Sequence, residues 1–574
     1  MRIKELTIHN FRGIIQEKFR LENYSLLVGS NNAGKSTVID AIRAFYEKDK
    51  YQYQDAMDFP KAGATDNESW IEIVYSLTDA EYDSLADDYK YEHGKLYVKK
   101  YFKTDKRVDG KSLKGIIVGK RTNGSFSNDH FYGAKNVQSG KLGNIIYIPA
   151  VSKVDEITKM SGPSALRELL QSIMSCVVEG SDSYAKLTDN INLFSSDIKS
   201  VKTDDSRSFS GLETEINSLL SPWEVAFEVR FQAPSPNEII KSMIKWDLID
   251  KSLESIQDIN KFGSGFQRHF IFSIIKLAND YMPKTKSIRK NDFSPDMNML
   301  LFEEPEAFLH PTQQQQLCRD LISLSNMDTW QVLITTHSSH FVSRSVPLIS
   351  SIIHLVRIGG TIDSYQIDEN GWKEIVDANL AINSLSKRYK KLAEKLRQED
   401  SFPEVQLMKY FLILNAERAD AFFSSHTILV EGQSEVALIR RILEDQKLPC
   451  AEGIYVFDCM GKFNMPRFMN LFGNLGISHS VIYDDDQNKT GEDLKMQTDC
   501  NELINASRNQ FTTCIESIAG NLELFLGIDT NSRSDKKAQI VLYSYDTGAI
   551  QQDRIDDYIS IIKKCLPNRS EAMS

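Results

Sequence analysis

The hydrophobic and polar residues of this 574-residue chain follow two periodicities. Short apolar runs that end in polar or acidic residues predict buried strands, as at Ser25–Val28, Met297–Phe302 and Val332–Thr336. The stretch 161–220 spaces its apolar residues three and four apart, which predicts amphipathic helices. After residue 424, strand and helix patterns alternate, which favours a second, parallel sheet.

These patterns predict an α/β protein of several domains. A first α/β domain, interrupted by a helical insertion, is followed by a linker and a second α/β domain. The predicted bounds are 1–160 and 236–380 for the first domain, 161–235 for the insertion, 381–423 for a helical linker, and 424–574 for the last domain.

A Gly-rich loop joins the strand that ends at Val28 to the helix that begins near Thr37. The loop reads Gly29-Ser30-Asn31-Asn32-Ala33-Gly34-Lys35-Ser36, which has the P-loop spacing of two glycines, four residues between them, then Lys and Ser. In such a loop, backbone N–H groups and the helix N-terminus hold phosphates, the lysine reaches the outer phosphates, and the serine holds Mg²⁺. The sequence therefore predicts a nucleoside triphosphate site formed by Asn31, Asn32, Gly34, Lys35, Ser36 and Thr37.

Further motifs accompany the P-loop in a fixed order. Asn10-Phe11-Arg12 follows an alternating strand, and Gly263-Ser264-Gly265-Phe266-Gln267 precedes an apolar helix. Glu303-Glu304-Pro305-Glu306 ends one buried strand, and His337 follows another. In this order the motifs resemble an ABC-type ATPase head of the SMC and RecF kind.

That resemblance implies a role for each motif. Arg12 contacts the nucleotide, although a solvent-facing arginine is an equal alternative. Ser264 and Gly265 form the signature loop. Glu303 orients the metal-bound water, Glu304 is the catalytic base and His337 senses the γ-phosphate. The segment from Glu306 to Pro311 is the D-loop. The usual Walker B aspartate is Glu303 here, and the signature loop departs from Leu-Ser-Gly-Gly-Gln, which puts the hydrolysis rate in doubt. Because a signature loop acts on its partner's nucleotide, the resemblance implies a homodimer.

Acidic residues follow two strands of the last domain, His426–Val430 and Ile477–Tyr483. Ligands of open α/β sheets bind at the carboxyl ends of the strands, and clustered carboxylate oxygens select Mg²⁺ or Mn²⁺. The acids at 484 and 486 are two apart, so both are expected to face one side while Asp485 faces away. Acidic loop caps are the alternative interpretation. The predicted ligands are Glu431, Glu435, Asp484 and Asp486.

Glu-Gly with a nearby acid, followed by Asp-x-Asp at a later strand, resembles a Toprim domain. The resemblance implies metal-dependent phosphoryl transfer at these acids. Glu523 is a further candidate ligand, and Lys536 and Lys537 are candidate cations for a phosphate. Taken singly, these three positions are also typical of ordinary surface residues.

An ABC-type head followed by a Toprim domain resembles the overcoming-lysogenization-defect (OLD) family of nucleases over nearly the whole chain. The resemblance implies ATP and Mg²⁺ or Mn²⁺ as cofactors, DNA as substrate, and endonuclease or nickase activity. It implies an anti-phage role, as in Gabija and retron systems, in which a reverse transcriptase or its msDNA is a partner. The alternatives are a non-nucleolytic SMC- or RecF-like DNA-binding ATPase, a sensor subunit, and a topoisomerase- or primase-like enzyme.

Composition adds two limits. The net charge is −11, so DNA would have to bind at a local basic patch. Residues 95–121 hold ten Lys and Arg against two Asp and could form such a patch. A β-hairpin with a solvated basic face is favoured over a DNA surface for this stretch. Seven cysteines without a CxxC pair, no membrane-length apolar run and no secretory signal predict a cytoplasmic protein with no membrane partner.

Overall fold

The computed structural model divides the chain into two compact units. One joins Met1–Ala150 to Ser287–Ser574, and the other is Val151–Lys286. The described residues are 1–47, 51–108, 111–132, 141–150, 182–203, 207–223, 225–229, 238, 247–251, 254–281, 293, 295, 297–389, 402–446, 448, 453–528 and 536–567.

The strands are numbered along the described part of the chain. They are β1 (Arg2–Phe11), β2 (Ile14–Arg20), β3 (Tyr24–Val28), β4 (Ser69–Ser76), β5 (Lys95–Lys103), β6 (Arg107–Val108), β7 (Lys111–Ser112), β8 (Ile117–Gly119), β9 (Asn144–Ile148), β10 (Leu248–Asp250), β11 (Ser255–Gln257), β12 (Asn298–Glu303), β13 (Trp330–Thr335), β14 (Ile352–Ile358), β15 (Thr361–Gln366), β16 (His426–Val430), β17 (Ile454–Asp458), β18 (His479–Asp484) and β19 (Thr512–Ile518).

Helices alternate with these strands. The α-helices are Lys35–Tyr46, Asp55–Asp58, Asp79–Ser84, Asp182–Ser200, Phe209–Leu220, Ser264–Tyr281, Pro311–Ser325, Ser339–Ser345, Glu369–Arg388, Pro403–Ile413, Gln433–Gln446, Met465–Asn474, Gly491–Ala506, Leu522–Leu526, Lys537–Asp546 and Gln552–Cys565. Short 3₁₀ segments include Arg418–Phe422 and Lys462–Asn464.

Two sheets build the N-terminal domain of the first unit. A six-stranded sheet has the order β15-β14-β3-β13-β12-β9, with parallel pairing except at β15. A five-stranded antiparallel sheet has the order β2-β1-β4-β5-β8. Strands β3 and β13 are buried along their whole length, which explains their continuous apolar sequences.

The helix Lys35–Tyr46 packs into the core that both sheets share. Val38, Ile42 and Phe45 on this helix join one buried cluster with Ile71 of the antiparallel sheet and Leu333 of the parallel sheet. Because the helix begins directly after the Gly-rich loop, this packing fixes the loop at the carboxyl end of β3.

The C-terminal domain is a four-stranded parallel sheet of order β17-β16-β18-β19. The chain leaves β16 toward β17 on one side and then returns to β18 on the other. The carboxyl end of β16 is therefore a topological switch point, where open α/β sheets bind ligands. The structure confirms the predicted α/β class and the strands that precede Glu431 and Asp484.

Among its described residues, the second unit contains the α-helices Asp182–Ser200, Phe209–Leu220 and Ser264–Tyr281, and the β10–β11 hairpin. It spans more of the chain than the predicted insertion 161–235. The predicted helical positions up to residue 181 lie outside the described residues.

The basic stretch 95–121 forms part of the antiparallel sheet, with β5 between β4 and β8. Lys99 pairs with Glu72 at 2.7 Å, and the buried Lys100 pairs with Glu47 at 3.0 Å. The predicted sheet structure of this stretch is confirmed, but these two cations are paired within the domain and lie neither on a solvated face nor on a surface open to DNA. Within the described residues, no helix has both the length and the apolar composition that crossing a membrane requires.

Buried histidines make the C-terminal sheet sensitive to acid. His479 Nδ1 lies 2.9 Å from the Ile477 carbonyl oxygen and Nε2 lies 2.9 Å from Thr512 Oγ1. A carbonyl only accepts, so Nδ1 carries the proton and Nε2 accepts from the hydroxyl. Burial lowers the pKa of His479, and likewise of His426, to about 4.

We predict that the free energy of unfolding falls as the pH drops from about 6.5 to about 4. Between these pH values His426 and His479 are protonated in the unfolded chain but remain neutral in the folded one. Each histidine therefore lowers the free energy of unfolding by at most ~3 kcal/mol. The replacement His479→Gln should flatten the pH dependence of the urea midpoint, measured by circular dichroism between pH 7.5 and 5. The same pH dependence in both proteins would contradict the assignment.

Candidate functional site

The Gly-rich loop adopts a conformation that two of its glycines make accessible. Gly29 has φ +143° and Gly34 has φ +100°, both in the region that favours glycine. A Cβ on Gly29 would lie 2.4 Å from the Leu355 carbonyl oxygen, and one on Gly34 would lie 2.3 Å from Ile362 Cδ1. The glycine spacing of the motif is thus a steric requirement of this loop.

Lys35 is buried at the first turn of the helix, and its ammonium group faces the loop. Lys35 Nζ donates to the carbonyl oxygens of Gly29 at 2.8 Å and Ser30 at 2.9 Å. Burial lowers the pKa of Lys35 to about 8, although Glu304 and Glu306 act in the opposite direction. A phosphate group that replaced these carbonyls would restore a full charge partner.

A cavity of about 750 Å³ opens beside this loop, a volume typical of small-molecule sites. It combines the predicted P-loop residues with residues from β13 and the segments that follow β1 and β12. The lining includes Arg12, Asn31, Asn32, Gly34, Lys35, Ser36, Thr37, Glu304, Thr335 and His337.

Arg12 lies on the wall of this cavity within a network of polar groups. Its guanidinium donates to Asp40 at 2.8 Å, to Asp58 at 2.9 Å and to the Tyr51 hydroxyl at 2.7 Å. The side chain is held in place by these partners, which differs from the freely solvated arginine of the alternative interpretation.

The acids after β12 lie next to the segment that follows β13, residues 336–339, which is called the switch segment below. The Glu304 N–H donates to the Thr335 carbonyl oxygen at 2.9 Å, and His337 Nε2 lies 3.7 Å from Glu304 Oε1. Burial, followed by the nearby Lys35 cation, lowers the pKa of His337, so the ring is neutral near pH 7. Glu306 Oε1 accepts from the His337 N–H at 2.6 Å, and burial raises the pKa of Glu306.

Three further predicted nucleotide residues are Glu303, Ser264 and Gly265. Glu303 is buried at the end of β12, where the Tyr147 hydroxyl donates to its Oε2 at 2.9 Å. Ser264 and Gly265 begin the helix Ser264–Tyr281 of the second unit, and their part in nucleotide binding stays a prediction.

The carboxyl edge of the C-terminal sheet gathers the predicted acidic residues. Asp484 is the last residue of β18 and Asp486 lies two residues further on; both are buried, as is Glu435 in the first turn of the helix after β16. The Glu431 carboxylate accepts from the Asp484 N–H at 3.0 Å, which joins the ends of the two neighbouring strands. Glu435 Oε2 accepts from the Gly432 N–H at 3.1 Å, so it also turns toward the end of β16.

Burial and mutual repulsion shift these carboxyl groups together. Burial, followed by Glu431 and Glu523, raises the pKa of Glu435 to about 8. Burial, followed by Glu431, Glu435 and Asp486, raises the pKa of Asp484 to about 9. Burial also raises the pKa of Glu431. Carboxylates that repel one another inside a protein are the arrangement that a bound cation relieves.

The donor chemistry of this cluster fits a divalent metal ion. Its ligating atoms are carboxylate oxygens, the hard donors that Mg²⁺ and Mn²⁺ prefer. Asp484 Oδ1 is buried and has no hydrogen-bond partner among the described residues. Within the same described residues, no three acidic, histidine or cysteine side chains are already arranged to hold an ion, so side chains would have to turn to form a complete shell.

The three further candidates, Glu523, Lys536 and Lys537, differ in their position relative to the acidic cluster. Glu523 is buried near Glu435, and Lys537 Nζ lies 3.2 Å from Glu523 Oε1. Lys536 is exposed at the start of the helix Lys537–Asp546. The structure thus brings two of the three further candidates together with the acidic cluster.

This site also contains a lysine that the sequence motifs did not predict. Lys462 is buried, and its ammonium donates to the Asp484 carbonyl oxygen and to Asp486 Oδ2. Its position in the sequence could have indicated its place in the site. Met460-Gly461-Lys462 comes shortly after β17, just as the predicted acids lie at or after the ends of β16 and β18. Lysine is not a metal ligand type, so a search for acids passes over it.

Comparison with known families matches two parts of the chain. Residues 1–342 match the AAA ATPase domain, and residues 422–486 match the overcoming lysogenization defect protein-like TOPRIM domain. The two matches coincide with the cavity around the Gly-rich loop and with the acidic cluster. They imply the use of a nucleotide and of a divalent metal in general terms.

Individual relatives extend these matches. The chain is 24% identical over 550 residues to the Old nuclease of Escherichia phage P2, which covers 92% of this chain and 84% of that protein. It is 26% identical over 283 residues to the endonuclease GajA of Bacillus cereus strain HuB5-5, which covers 48% of this chain and 37% of that protein. Among solved structures, an SMC head domain from Thermotoga maritima is 14% identical, covers 64% of this chain and all of that one, and gives a TM-score of 0.30.

We predict that Lys35→Ala weakens ATP binding by about 10- to 100-fold, the loss expected for one charge-assisted contact. Equilibrium binding of a fluorescent ATP analogue to the full chain measures the effect. Lys4→Ala is the matched control, because Lys4 is exposed and pairs with Glu22 away from the cavity. Equal affinities of the Lys35→Ala variant and the unaltered protein would contradict the phosphate role of Lys35.

Proposed function

This chain belongs to the overcoming-lysogenization-defect (OLD) family of nucleases, and we propose that it is an ATP-binding, divalent-metal-dependent DNA endonuclease or nickase. Its Toprim carboxylates would cleave the phosphodiester bond, and its ATPase head would bind ATP. The observation that carries the proposal is the buried, mutually repelling acid cluster at the switch point of the sheet, with Asp484 Oδ1 left unpaired among the described residues.

The roles of the residues follow from this cluster. Glu431 and Asp484, with Glu435 and Asp486 beside them, would hold one or two Mg²⁺ or Mn²⁺ ions. A bound divalent ion supplies an activated water and stabilises the charge of the leaving oxygen. Lys537, held near the cluster by Glu523, would face the negative charge of the phosphate.

The setting of this activity is also a proposal. We infer a cytoplasmic anti-phage defence effector that acts as a homodimer on DNA, as the resemblance to the family implies and as the similarity to an Old nuclease and to an endonuclease named GajA supports. A retron reverse transcriptase or its msDNA is the further partner that the family resemblance suggests. The apolar side chains Leu219 and Trp223, 72% and 70% exposed in the second unit, support a surface that a second copy covers.

A short segment connects the two sites and supports control by nucleotide. In the 3₁₀ segment Arg418–Phe422, the Asp420 carboxyl lies next to the side chain of Ser339, which begins the helix after His337. The next residue, Phe423, places its ring 6.1 Å from the His337 ring.

The other end of this segment reaches the Toprim sheet. Arg418 donates to the backbone oxygen of Asp458 at 2.9 Å and to its Oδ2 at 2.8 Å. Gln433, the first residue of the helix that carries Glu435, donates to the same Asp458 Oδ2 at 2.5 Å. A shift of the switch segment would therefore reach the acidic cluster through two hydrogen-bonded steps.

We predict that Asp484→Asn lowers Mg²⁺- or Mn²⁺-dependent cleavage of supercoiled plasmid by about 100-fold or more, because an amide replaces an anionic ligand. Asp485→Asn is the matched control. The Asp485 carboxylate accepts from the N–H groups of Gln487 and Gly520, and an asparagine oxygen keeps an acceptor there. Full activity of the Asp484→Asn variant would remove the Toprim site from the reaction.

We predict that Asp420→Ala brings the ratio of cleavage rates with and without ATP close to one, because it removes the contact with Ser339. ATP affinity and nucleotide-free cleavage should stay within about two-fold, since Asp420 contacts neither site directly. Glu417→Ala is the control, because Glu417 precedes the same segment but faces Arg440. An unchanged ATP effect in the Asp420→Ala variant would rule out this route of control.

A further inference from the structure

The Arg43 guanidinium packs on two tyrosine rings beside the Gly-rich loop. Arg43 belongs to the helix Lys35–Tyr46, which begins at that loop. Its guanidinium carbon lies 3.8 Å from the centroid of the Tyr147 ring and 5.0 Å from the centroid of the Tyr51 ring. Arg43 Nε is buried and has no hydrogen-bond partner among the described residues. Cation–π contacts therefore hold this part of the side chain in place of a hydrogen bond.

One arm of this arrangement leads from Arg43 to Arg12 on the wall of the nucleotide cavity. The Asp40 carboxylate accepts from both arginines at 2.8 Å, from Arg43 at Oδ1 and from Arg12 at Oδ2. The Tyr51 hydroxyl, whose ring contacts Arg43, accepts from Arg12 at 2.7 Å. The side chains of Asp40 and Arg43 are each 15% exposed, so salt screens these contacts only weakly. The position of Arg12 thus depends on Arg43 through two neighbours.

The other arm leads from Arg43 to Glu303 at the end of β12. The Tyr147 ring lies under the Arg43 guanidinium, and the Tyr147 hydroxyl donates to Glu303 Oε2 at 2.9 Å. Burial, followed by the Glu303 carboxylate, raises the pKa of Tyr147, so the hydroxyl keeps its proton at neutral pH and remains a donor. Glu303 is itself buried, and the next residue, Glu304, lines the cavity.

Arg43 thereby connects two residues from distant segments of the chain, since Arg12 follows β1 and Glu303 ends β12. Largely buried charges are a costly way to fill a core, because apolar side chains of similar size do so at least as well. In this arrangement both ends of the polar chain are residues that the sequence predicts for the nucleotide site. That coincidence favours a function at the site over packing alone.

We propose that Arg43 is a positioning residue of the nucleotide site, which holds Arg12 through Asp40 and holds Glu303 through Tyr147. This inference rests on the proposed binding of ATP by the head. Because one guanidinium fixes both arms, a nucleotide that shifts Arg12 also shifts the support of Glu303. The contributions of the two arms to ATP affinity therefore depend on each other, and this dependence requires Arg43.

A double-mutant cycle between the two arms tests the proposal, with a fluorescent ATP analogue bound to the full chain in the presence of Mg²⁺. Arg12→Gln removes one guanidinium, and Tyr147→Phe removes only the hydroxyl and keeps the ring under Arg43. We expect each change to weaken binding about three-fold or more, and the two together to weaken it by at least about three-fold less than the product of the single effects. In the Arg43→Met background the effects should multiply to within about two-fold.

The outcomes separate this inference from the proposed function. Single effects that multiply in the unaltered background, or a dependence that persists in the folded Arg43→Met variant, overturn the role of Arg43 and leave ATP binding intact. No binding of the analogue by the unaltered protein removes the nucleotide site itself. If circular dichroism shows that Arg43→Met is unfolded, Arg43→Lys takes its place, because lysine keeps the charge beside Asp40 and loses the planar group over Tyr147.

Arg319→Met is the matched control for the loss of an arginine from a helix of the head. Arg319 is exposed on the helix Pro311–Ser325 and donates to Gln316 of the same helix at 2.8 Å. The dependence between Arg12 and Tyr147 should stay unchanged in this background.

Discussion

Repulsion among buried carboxylates is the constraint on which the arrangement of this molecule depends. Glu431, Glu435 and Asp484 lie close enough that each disfavours the charged form of its neighbours, after burial has done the same. The fold answers with ammonium groups from Lys462 and from residues at the rim of the cluster. What these cations leave uncompensated includes Asp484 Oδ1, which has no hydrogen-bond partner among the described residues and is where the proposed divalent ion would bind.

The strand order explains why such a cluster forms at all. Parallel strands place all their carboxyl ends on one edge of the sheet. In this sheet β16 lies between β17 and β18, the two strands that follow it in the chain. Residues that are far apart in the chain, after β16, β17 and β18, therefore meet without any long-range motif. The same principle operates in the head, where the Gly-rich loop after β3 meets Glu304 after β12 and His337 after β13.

The difference between what the sequence predicts and what it misses follows from this geometry. Glu431 and Asp484 were predictable because an acid at the end of an apolar strand carries both its chemistry and its place in the sheet. Lys462 was not, because a single lysine is usually a surface residue and its burial depends on two positive φ angles in the turn before it. The sequence did not decide between a nucleotide contact and a solvent-facing side chain for Arg12. Its partners Asp40 and Asp58 are distant in the chain, and no local pattern indicates that they lie next to it.

The proposed route between the two sites depends on a largely buried charge pair, Arg418 with Asp458. Arg418 is bound to Asp458 through both a backbone and a side-chain oxygen, and Gln433 shares that carboxylate. A buried pair of this kind resists partial separation, because either group alone would lose its compensation. The segment Arg418–Phe422 must therefore move together with the ends of β16 and β17 or not move at all. A nucleotide that displaced His337 and Ser339 would act on this segment as a unit, which is how the proposed control of cleavage would operate.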